Sequence, residues 1–390
     1  MVAPATPTAP TPELEALDLL SGDARAFLRT AWASHAHIHK ADPGDVVGLL
    51  SLHDVDHLLT STALRTPALR IAQDGSVLPS ASYTRSATIA GAPLTGLVDA
   101  RKVVELFSGG ATLVLQGLHR YWPPLTELIR GLEAALGHPC QANAYLTPPG
   151  SQGFALHTDS HDVFVFQTHG SKQWEIHDDG EQRDVLMEPG TSMYLPTGTP
   201  HAARTQEAAS LHVTIGINQA TWRQLLLRTV TGVLADPAFD ERLPVGYPED
   251  PTGLAGTLTE RLRLLADQLA TVDTFARADD EGRRFLTTRT PVLHGALADR
   301  LSVTALDDDT DLVRRTGSVC VVRSAADGDH VLLLLGDREL RLPVRLTPAL
   351  EFLREQPRLR PSDLADWLDP TSRLVLVRRL VREGLLQVSA

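Results

Sequence analysis

The chain has 390 residues, 43% hydrophobic and 22% charged, an ordinary globular balance at about two to three times the length of a typical domain. Two or three domains are therefore expected, and a disordered, collagenous or fibrous chain is excluded. Two cysteines, Cys140 and Cys320, are too few and too far apart for a disulfide framework or a thiolate cage, so any metal must be held by nitrogen and oxygen. No run of about 18 apolar residues occurs, and the first twelve residues hold four prolines and no basic side chain. Neither a membrane span nor a secretory signal is read there, so a cytoplasmic setting is expected.

The net charge of −12 disfavours wholesale binding to phosphate backbones and favours cations or a basic partner. It is unevenly spread. From Asp311 onward 13 arginines face 11 acids, a net of +2, which leaves −14 on the preceding residues. Only three of the 36 basic residues are lysines, Lys40, Lys102 and Lys172, a bias in coding that carries no functional meaning.

Residues 1–12, rich in Pro, Ala and Thr, read as a disordered tail. Up to about residue 100 short helical patterns alternate with polar segments, one of them spanning residues 44–59. Residues 125–136 have apolar side chains at helical spacing and end at Gly137, a C-terminal cap. The period then changes to short strands at residues 141–146, 163–167, 173–177, 192–195 and 210–217, punctuated by PPG, HGS, EPG and PTGTP turns. Short strands between tight turns suggest a double-sheet barrel, with Phe164 and Trp174 in its core and Cys140 a small buried residue. Residues 221–234 and 254–269 return to helix, the second with leucines spaced for a bundle or a dimer interface, core packing being the favoured reading. Strand-like runs between residues 318 and 344 precede helical patterns at 347–354, 362–368 and 371–383; Gly384 and a short strand follow. That order reads as a winged helix. The expected fold is thus mixed α+β: a catalytic β-barrel over residues 13–219, an all-α region over 220–305 and a winged-helix domain over 306–390.

The chemistry concentrates in residues 141–177 and 188–203. His157 and Asp159 are two apart, so on an extended segment both side chains leave one face. His201 follows the 196–200 turn, where a neighbouring barrel strand can return it to the same point. Two imidazoles and one carboxylate make a facial triad with three open positions, the arrangement for non-haem Fe(II) that must also bind a cosubstrate and O₂; a three-ligand zinc site is the metal alternative. Asp162 either orients a ligand or completes a turn. His161, His169, His177 and His212 are assigned as non-ligands. Ser210, His212 and Thr214 alternate with Leu211, Val213 and Ile215 and are expected to face the pocket.

The run N-x-Y-x-T-P-P-G-S-Q-G-F-x-x-H-x-D at 143–159, with G-S-K-Q-W at 170–174 and P-x-G-x-x-H at 196–201, resembles the JmjC-type, cupin-fold 2-oxoglutarate oxygenases, and among them the ribosomal oxygenase group. The resemblance implies a double-stranded β-helix, helical dimerisation over 220–305 and hence a homodimer, and a winged helix not used to read DNA. It implies Fe(II) held by His157, Asp159 and His201, with 2-oxoglutarate and O₂ as cosubstrates. Lys172 aligns with the basic residue that takes the distal carboxylate of 2-oxoglutarate, a role suited to a buried point charge. Asn143, Tyr145 and Thr147 match the polar lining around the cosubstrate, and His212 and Thr214 complete it. The implied activity is hydroxylation of an amino-acid side chain in a protein or peptide, a basic ribosomal protein for preference. Two alternatives stand beside it: the same chemistry on a peptide or small natural product, and a cupin ligand sensor that binds DNA through the winged helix.

Overall fold

A computed structural model describes residues 14–73, 75–151, 155–205 and 208–389; the expected tail at 1–12 lies outside them. The chain packs as two units, the first made of the residues up to Gln219 with Thr290–Val319 and those from Phe352 onward, the second of Ala220–Arg289 with Cys320–Glu351. Each unit therefore draws on stretches that are distant in sequence.

The first unit opens with helices α1 (Glu15–Ser21) and α2 (Ala24–Thr30), strand β1 (His37–Lys40), and helices α3 (Pro43–Val47) and α4 (Leu52–Thr60). The single helical pattern expected at 44–59 is thus two helices. Ser51 caps the second through a reciprocal box with Asp54, which competes with helix continuation across residues 48–51. Strands β2 (Leu69–Gln73) and β3 (Ser76–Val77), the hairpin β4 (Thr84–Ile89) and β5 (Ala92–Val98), helix α5 (Ala100–Ser108), strand β6 (Thr112–Leu115) and helix α6 (Pro123–Leu136) follow. Helix α6 ends where Gly137 adopts φ +69°, a conformation that favours glycine.

Seven strands then form the heart of the unit: β7 (Cys140–Thr147), β8 (Asp162–His169), β9 (Lys172–Asp178), β10 (Glu181–Met187), β11 (Thr191–Leu195), β12 (His201–Thr205) and β13 (Ser210–Ile217). They divide between an eight-stranded sheet, ordered β1-β11-β8-β13-β7-β6-β2-β3, and a three-stranded sheet, ordered β10-β9-β12. Val163, Val165, Met193 and Leu195 of the large sheet meet Trp174, Ile176, Val185, Met187 and Ala203 of the small one, so the two sheets enclose a common core. The opposite face of the large sheet presents Phe164, Phe166, Leu211, Val213 and Ile215 to the amino-terminal helices, with Leu17, Leu20 and Phe27 among the residues packed there. Trp174 accordingly lies between the sheets, whereas Phe164 is core on the outer side. The β8–β9 turn needs glycine: Gly170 has φ +61°, and a Cβ there would lie 1.8 Å from the Ala209 carbonyl oxygen.

The remaining elements in chain order are α7 (Trp222–Val233), α8 (Pro251–Ala270), α9 (Thr274–Leu286), α10 (Ala296–Ser302), β14 (Leu312–Arg314), β15 (Val321–Ser324), β16 (His330–Leu334), β17 (Glu339–Pro343), α11 (Thr347–Glu355), β18 (Arg358–Leu359), α12 (Pro370–Arg382) and β19 (Leu386–Val388). Helices α7, α8 and α9 belong to the second unit with the meander β15-β16-β17. None of the three helices buries a described residue, and Leu258 and Leu262 of α8 are 53% and 55% exposed. Leu254, Leu264, Leu265 and Leu269 are half-buried, so core packing, the favoured reading for the α8 leucines, is met only in part within one chain. In the first unit β14 is central in a sheet ordered β18-β14-β19, beside α12. The helix expected at 362–368 is only a turn of 3₁₀ helix, Pro361–Leu364.

Phe27 joins the helices to the large sheet. Its ring lies 4.9 Å from Tyr194, edge to face, and 5.4 Å from Phe164. We predict that Phe27→Ala lowers unfolding free energy by about 3–5 kcal/mol in urea titrations, whereas Val77→Ala, at an exposed position, changes it by less than about 0.5 kcal/mol.

Candidate metal centre

His157 and His201 are joined by an isolated antiparallel bridge in which each main-chain N–H donates to the other's carbonyl, at 3.0 and 2.9 Å. His201 opens β12 opposite Ile176 of β9. Asp159 lies in the loop before β8, so the two-apart pair sits on a bridge and the irregular loop after it instead of on a strand. The three side chains nevertheless converge. Asp159 Oδ1 is 3.9 Å from His157 Nε2, its Oδ2 is 3.7 Å from His201 Nε2, and the imidazole centroids are 4.4 Å apart.

The far nitrogen of each ring meets a carbonyl: His157 Nδ1 lies 2.8 Å from Ala155 O and His201 Nδ1 lies 2.9 Å from Thr199 O. A carbonyl can only accept, so each Nδ1 carries the proton and each Nε2 presents a lone pair to the centre. Burial lowers the His201 pKa, which keeps that ring neutral. The His201 side chain is 5% exposed, those of Asp159 and His157 31% and 42%, so the cluster opens to solvent on the His157 side. His35, Asp178 and Asp179 form another compact group among the described residues. There His35 Nδ1 is 3.0 Å from Asp179, and Asp178 accepts the Ala36 N–H, so an ion pair and a main-chain contact account for it.

Next to the triad the inner face of the large sheet is unusually polar. Register places Asn143, Tyr145 and Thr147 of β7 opposite Thr214, His212 and Ser210 of β13. Tyr145 and His212 stack at 5.0 Å, nearly parallel, and Trp174 meets His212 edge-on at 5.5 Å. Lys172 opens β9, is 3% exposed, and donates to Thr147 Oγ1 at 3.3 Å, which lies 3.3 Å from Thr112 Oγ1. No carboxylate among the described residues pairs with it. Gln167 Oε1, Trp174 Nε1 and His212 Nδ1 are likewise buried without a hydrogen-bond partner among those residues. An unpaired ammonium beside orphaned polar atoms is costly unless an anion with matching donors and acceptors occupies the space.

Of the other expected lining residues, Asn143 uses its side-chain oxygen to accept the Gly117 N–H at 3.0 Å, and Thr214 is half-buried on the same face. His177 pairs with Glu175 at 2.9 Å, His161 packs over Gly216, and His169 is exposed. The sequence reading missed Thr112, Gln167 and Arg70. Arg70 of β2 reaches the same face, near enough to Tyr145 to oppose the rise in its pKa that burial causes, and its Nε is buried without a partner among the described residues. All three become visible only through strand register, which no local motif reports.

Residues 128–225 match the JmjC domain family. The chain resembles the ribosomal oxygenases within that family. It is 33% identical over 187 residues to ribosomal oxygenase 2 of Mus musculus, covering 41% of this chain and 40% of that protein. It is 36% identical over 169 residues to the bifunctional lysine-specific demethylase and histidyl-hydroxylase NO66 of Branchiostoma floridae, covering 41% and 27% respectively. The chain thus spans less than half the length of these relatives. Among solved structures, the Escherichia coli ribosomal oxygenase YcfD superposes with TM-score 0.55 at 19% identity, over 94% of this chain and 98% of that one. The same enzyme has been solved with cobalt and 2-oxoglutarate, with TM-score 0.53 to this chain. This likeness establishes a mixed α/β, JmjC cupin-type fold.

Burial lowers the Lys172 pKa to about 8. Between that value and about 10.4 the unfolded chain holds a proton that the folded chain has lost, so this group makes the metal-free protein more stable as pH rises through the window. We predict that Lys172→Met stabilises metal-free protein at pH 7 by on the order of 1–3 kcal/mol, and that its advantage over the native chain closes towards pH 10. Urea unfolding of both proteins across that range measures it.

Proposed function

We propose that the chain is an Fe(II)- and 2-oxoglutarate-dependent oxygenase that hydroxylates an amino-acid side chain of a protein. One juxtaposition carries the reading: three ligand atoms of His157, Asp159 and His201 converge within the same barrel as a buried, uncompensated Lys172 ammonium. The donor set suits a six-coordinate ion with three positions left open, and the orphaned polar atoms around Lys172 suit a dicarboxylate. Bound iron, 2-oxoglutarate and O₂ supply the oxidative chemistry.

The chain's own residues hold and orient. The Ala155 and Thr199 carbonyls fix the two imidazoles, while Lys172 and Thr147 would take the distal carboxylate of 2-oxoglutarate. Trp174, Tyr145 and His212 wall the pocket against water. Burial, with Lys172 as the second cause, holds the His212 pKa well below its usual value, so the ring stays neutral and adds no competing charge. The open His157 side leaves room for a substrate side chain. The net charge of −12 attracts a basic polypeptide, in keeping with relatives named for ribosomal oxygenation and histidyl hydroxylation.

The winged helix is part of the same proposal, built on the sheet β18-β14-β19 with α10 and α12. Four of its arginines are engaged internally: Arg373 with Asp308, Arg378 with the Leu306 carbonyl, Arg379 with Glu383 and Arg360 with Asp311. Three of these contacts are with carboxylates, which offsets part of the positive charge a phosphate backbone would need and disfavours the DNA-binding sensor. Homodimerisation through the second unit is also proposed, since Trp222, Leu226 and Leu227 of α7 and Phe275 of α9 are exposed together with Leu258 and Leu262 of α8. No helix among the described residues is long and apolar enough to cross a membrane.

Two outcomes are expected. With Fe(II), 2-oxoglutarate and ribosomal-protein peptides, the native chain should form succinate and add about 16 Da to one peptide. His157→Ala should abolish both, and Lys172→Ala should raise the 2-oxoglutarate concentration needed for half-maximal turnover at least about tenfold, the scale of one lost charge-assisted contact. Undiminished turnover in His157→Ala removes that ligand from the site, and an unchanged 2-oxoglutarate requirement in Lys172→Ala removes Lys172. Leu226→Glu should convert a dimer to monomer in light scattering; a monomeric native chain refutes the dimer.

A further inference from the structure

We propose that Asp162 is a positioning residue: its carboxylate locks the loop carrying His201 against the loop carrying Asp159, and metal affinity depends on that lock. The inference rests on the metal reading above and assigns Asp162 a task beyond completing a turn.

Asp162 is the first residue of β8, three after Asp159, and is 2% exposed. Its Oδ1 accepts both the main-chain N–H and the hydroxyl of Thr197, each at 2.7 Å. Its Oδ2 accepts the Tyr194 hydroxyl, which in turn accepts the Ala33 N–H at 3.0 Å, so the tyrosine's only proton is committed to Asp162. Thr197 lies in the turn that delivers His201. The next residue, Gly198, donates its N–H to the Asp159 carbonyl at 3.0 Å, and the one after, Thr199, supplies the carbonyl that fixes His201 Nδ1. One carboxylate thereby reaches two of the three ligands within three residues of chain.

A turn alone does not require this. The 196–199 turn already closes through the Thr199 N–H and the Pro196 carbonyl, at 3.1 Å. What Asp162 adds is a buried carboxylate acceptor between two loops that are otherwise joined near the ligands by main-chain bonds alone, the reciprocal His157–His201 pair and the Gly198–Asp159 contact. Such contacts behind a ligand typically change metal affinity about 10–100-fold when removed.

The test uses the full-length, metal-free protein titrated with Mn(II) and followed by electron paramagnetic resonance, with thermal unfolding in parallel. Thr197 is exposed, so Thr197→Val deletes one bond to Asp162 without opening the core. It should weaken Mn(II) binding roughly tenfold while the unfolding midpoint stays within about 4 °C, and Thr197→Ser should restore binding. Asp162→Asn should weaken binding further; should that variant not fold, the Thr197 pair decides the question. Native Mn(II) affinity in folded Thr197→Val overturns the role of Asp162 and leaves the metal reading intact. Absence of Mn(II) binding by the native chain overturns the metal reading itself, and this inference with it.

Discussion

The site depends on one register, the antiparallel pairing of β9 with β12 that sets His201 opposite Ile176 and Thr205 opposite Lys172. Because side chains alternate along a strand, a slip of one residue would turn His201 out of the barrel. The same pairing sets the distance between the ends of the site: Ile176 and Lys172 are four residues apart on β9, about 13 Å along the strand. A long lysine side chain can shorten that gap from one end and an imidazole from the other. The Pro200 carbonyl, accepting the His177 N–H at 2.9 Å, and the His157 bridge extend the pairing past the strand ends. Pairing alone therefore specifies where a metal and an anion would sit.

Such a site opposes stability. Lys172, His212, Gln167 and Ser210 are all nearly fully buried on the inner side of the barrel, where hydrocarbon would pack at no polar cost. The opposing contribution comes from the other face of the large sheet, where β8, β11 and β13 bury aromatic and branched residues against the amino-terminal helices. Alternation along a strand makes this division possible: on β13, Leu211, Val213 and Ile215 anchor the sheet while Ser210, His212 and Thr214 face the pocket. The helices before residue 140 therefore act on the site indirectly, by stabilising a sheet whose inner face is chemically expensive.

The site was more legible in the sequence than the fold around it. His157, Asp159, Lys172 and His201 lie close to turns whose Gly and Pro content is visible locally, and β7, β8, β9, β11 and β13 announce themselves by alternation between those turns. The short strands β1 and β6 were not legible, because each is only four residues long and pairs with strands distant in sequence; their neighbours in the chain are helices, which dominate the local pattern. Strand β10 reads EQRDVLM, with four exposed residues in succession, so alternation is lost. The two-unit organisation was equally hidden. The meander β15-β16-β17 falls between two stretches of the other unit, and nothing in its own composition reveals which neighbours it joins.

The charge pattern changes meaning once contacts are known. Read as a sum, the residues from Asp311 onward are weakly basic, which would favour an acidic partner. In the structure several of those arginines are bound at close range to acids or carbonyls of the first unit, and two of these acids or carbonyls, Asp308 and Leu306, lie before Asp311. Part of the positive charge in the carboxy-terminal stretch is thus neutralised by the acidic stretch before it. A boundary drawn at Asp311 divides ion pairs that belong together, and the surplus of +2 is a consequence of where the chain was cut for counting. The net −12 of the whole chain is the better guide to its partners, and it favours a basic polypeptide over nucleic acid.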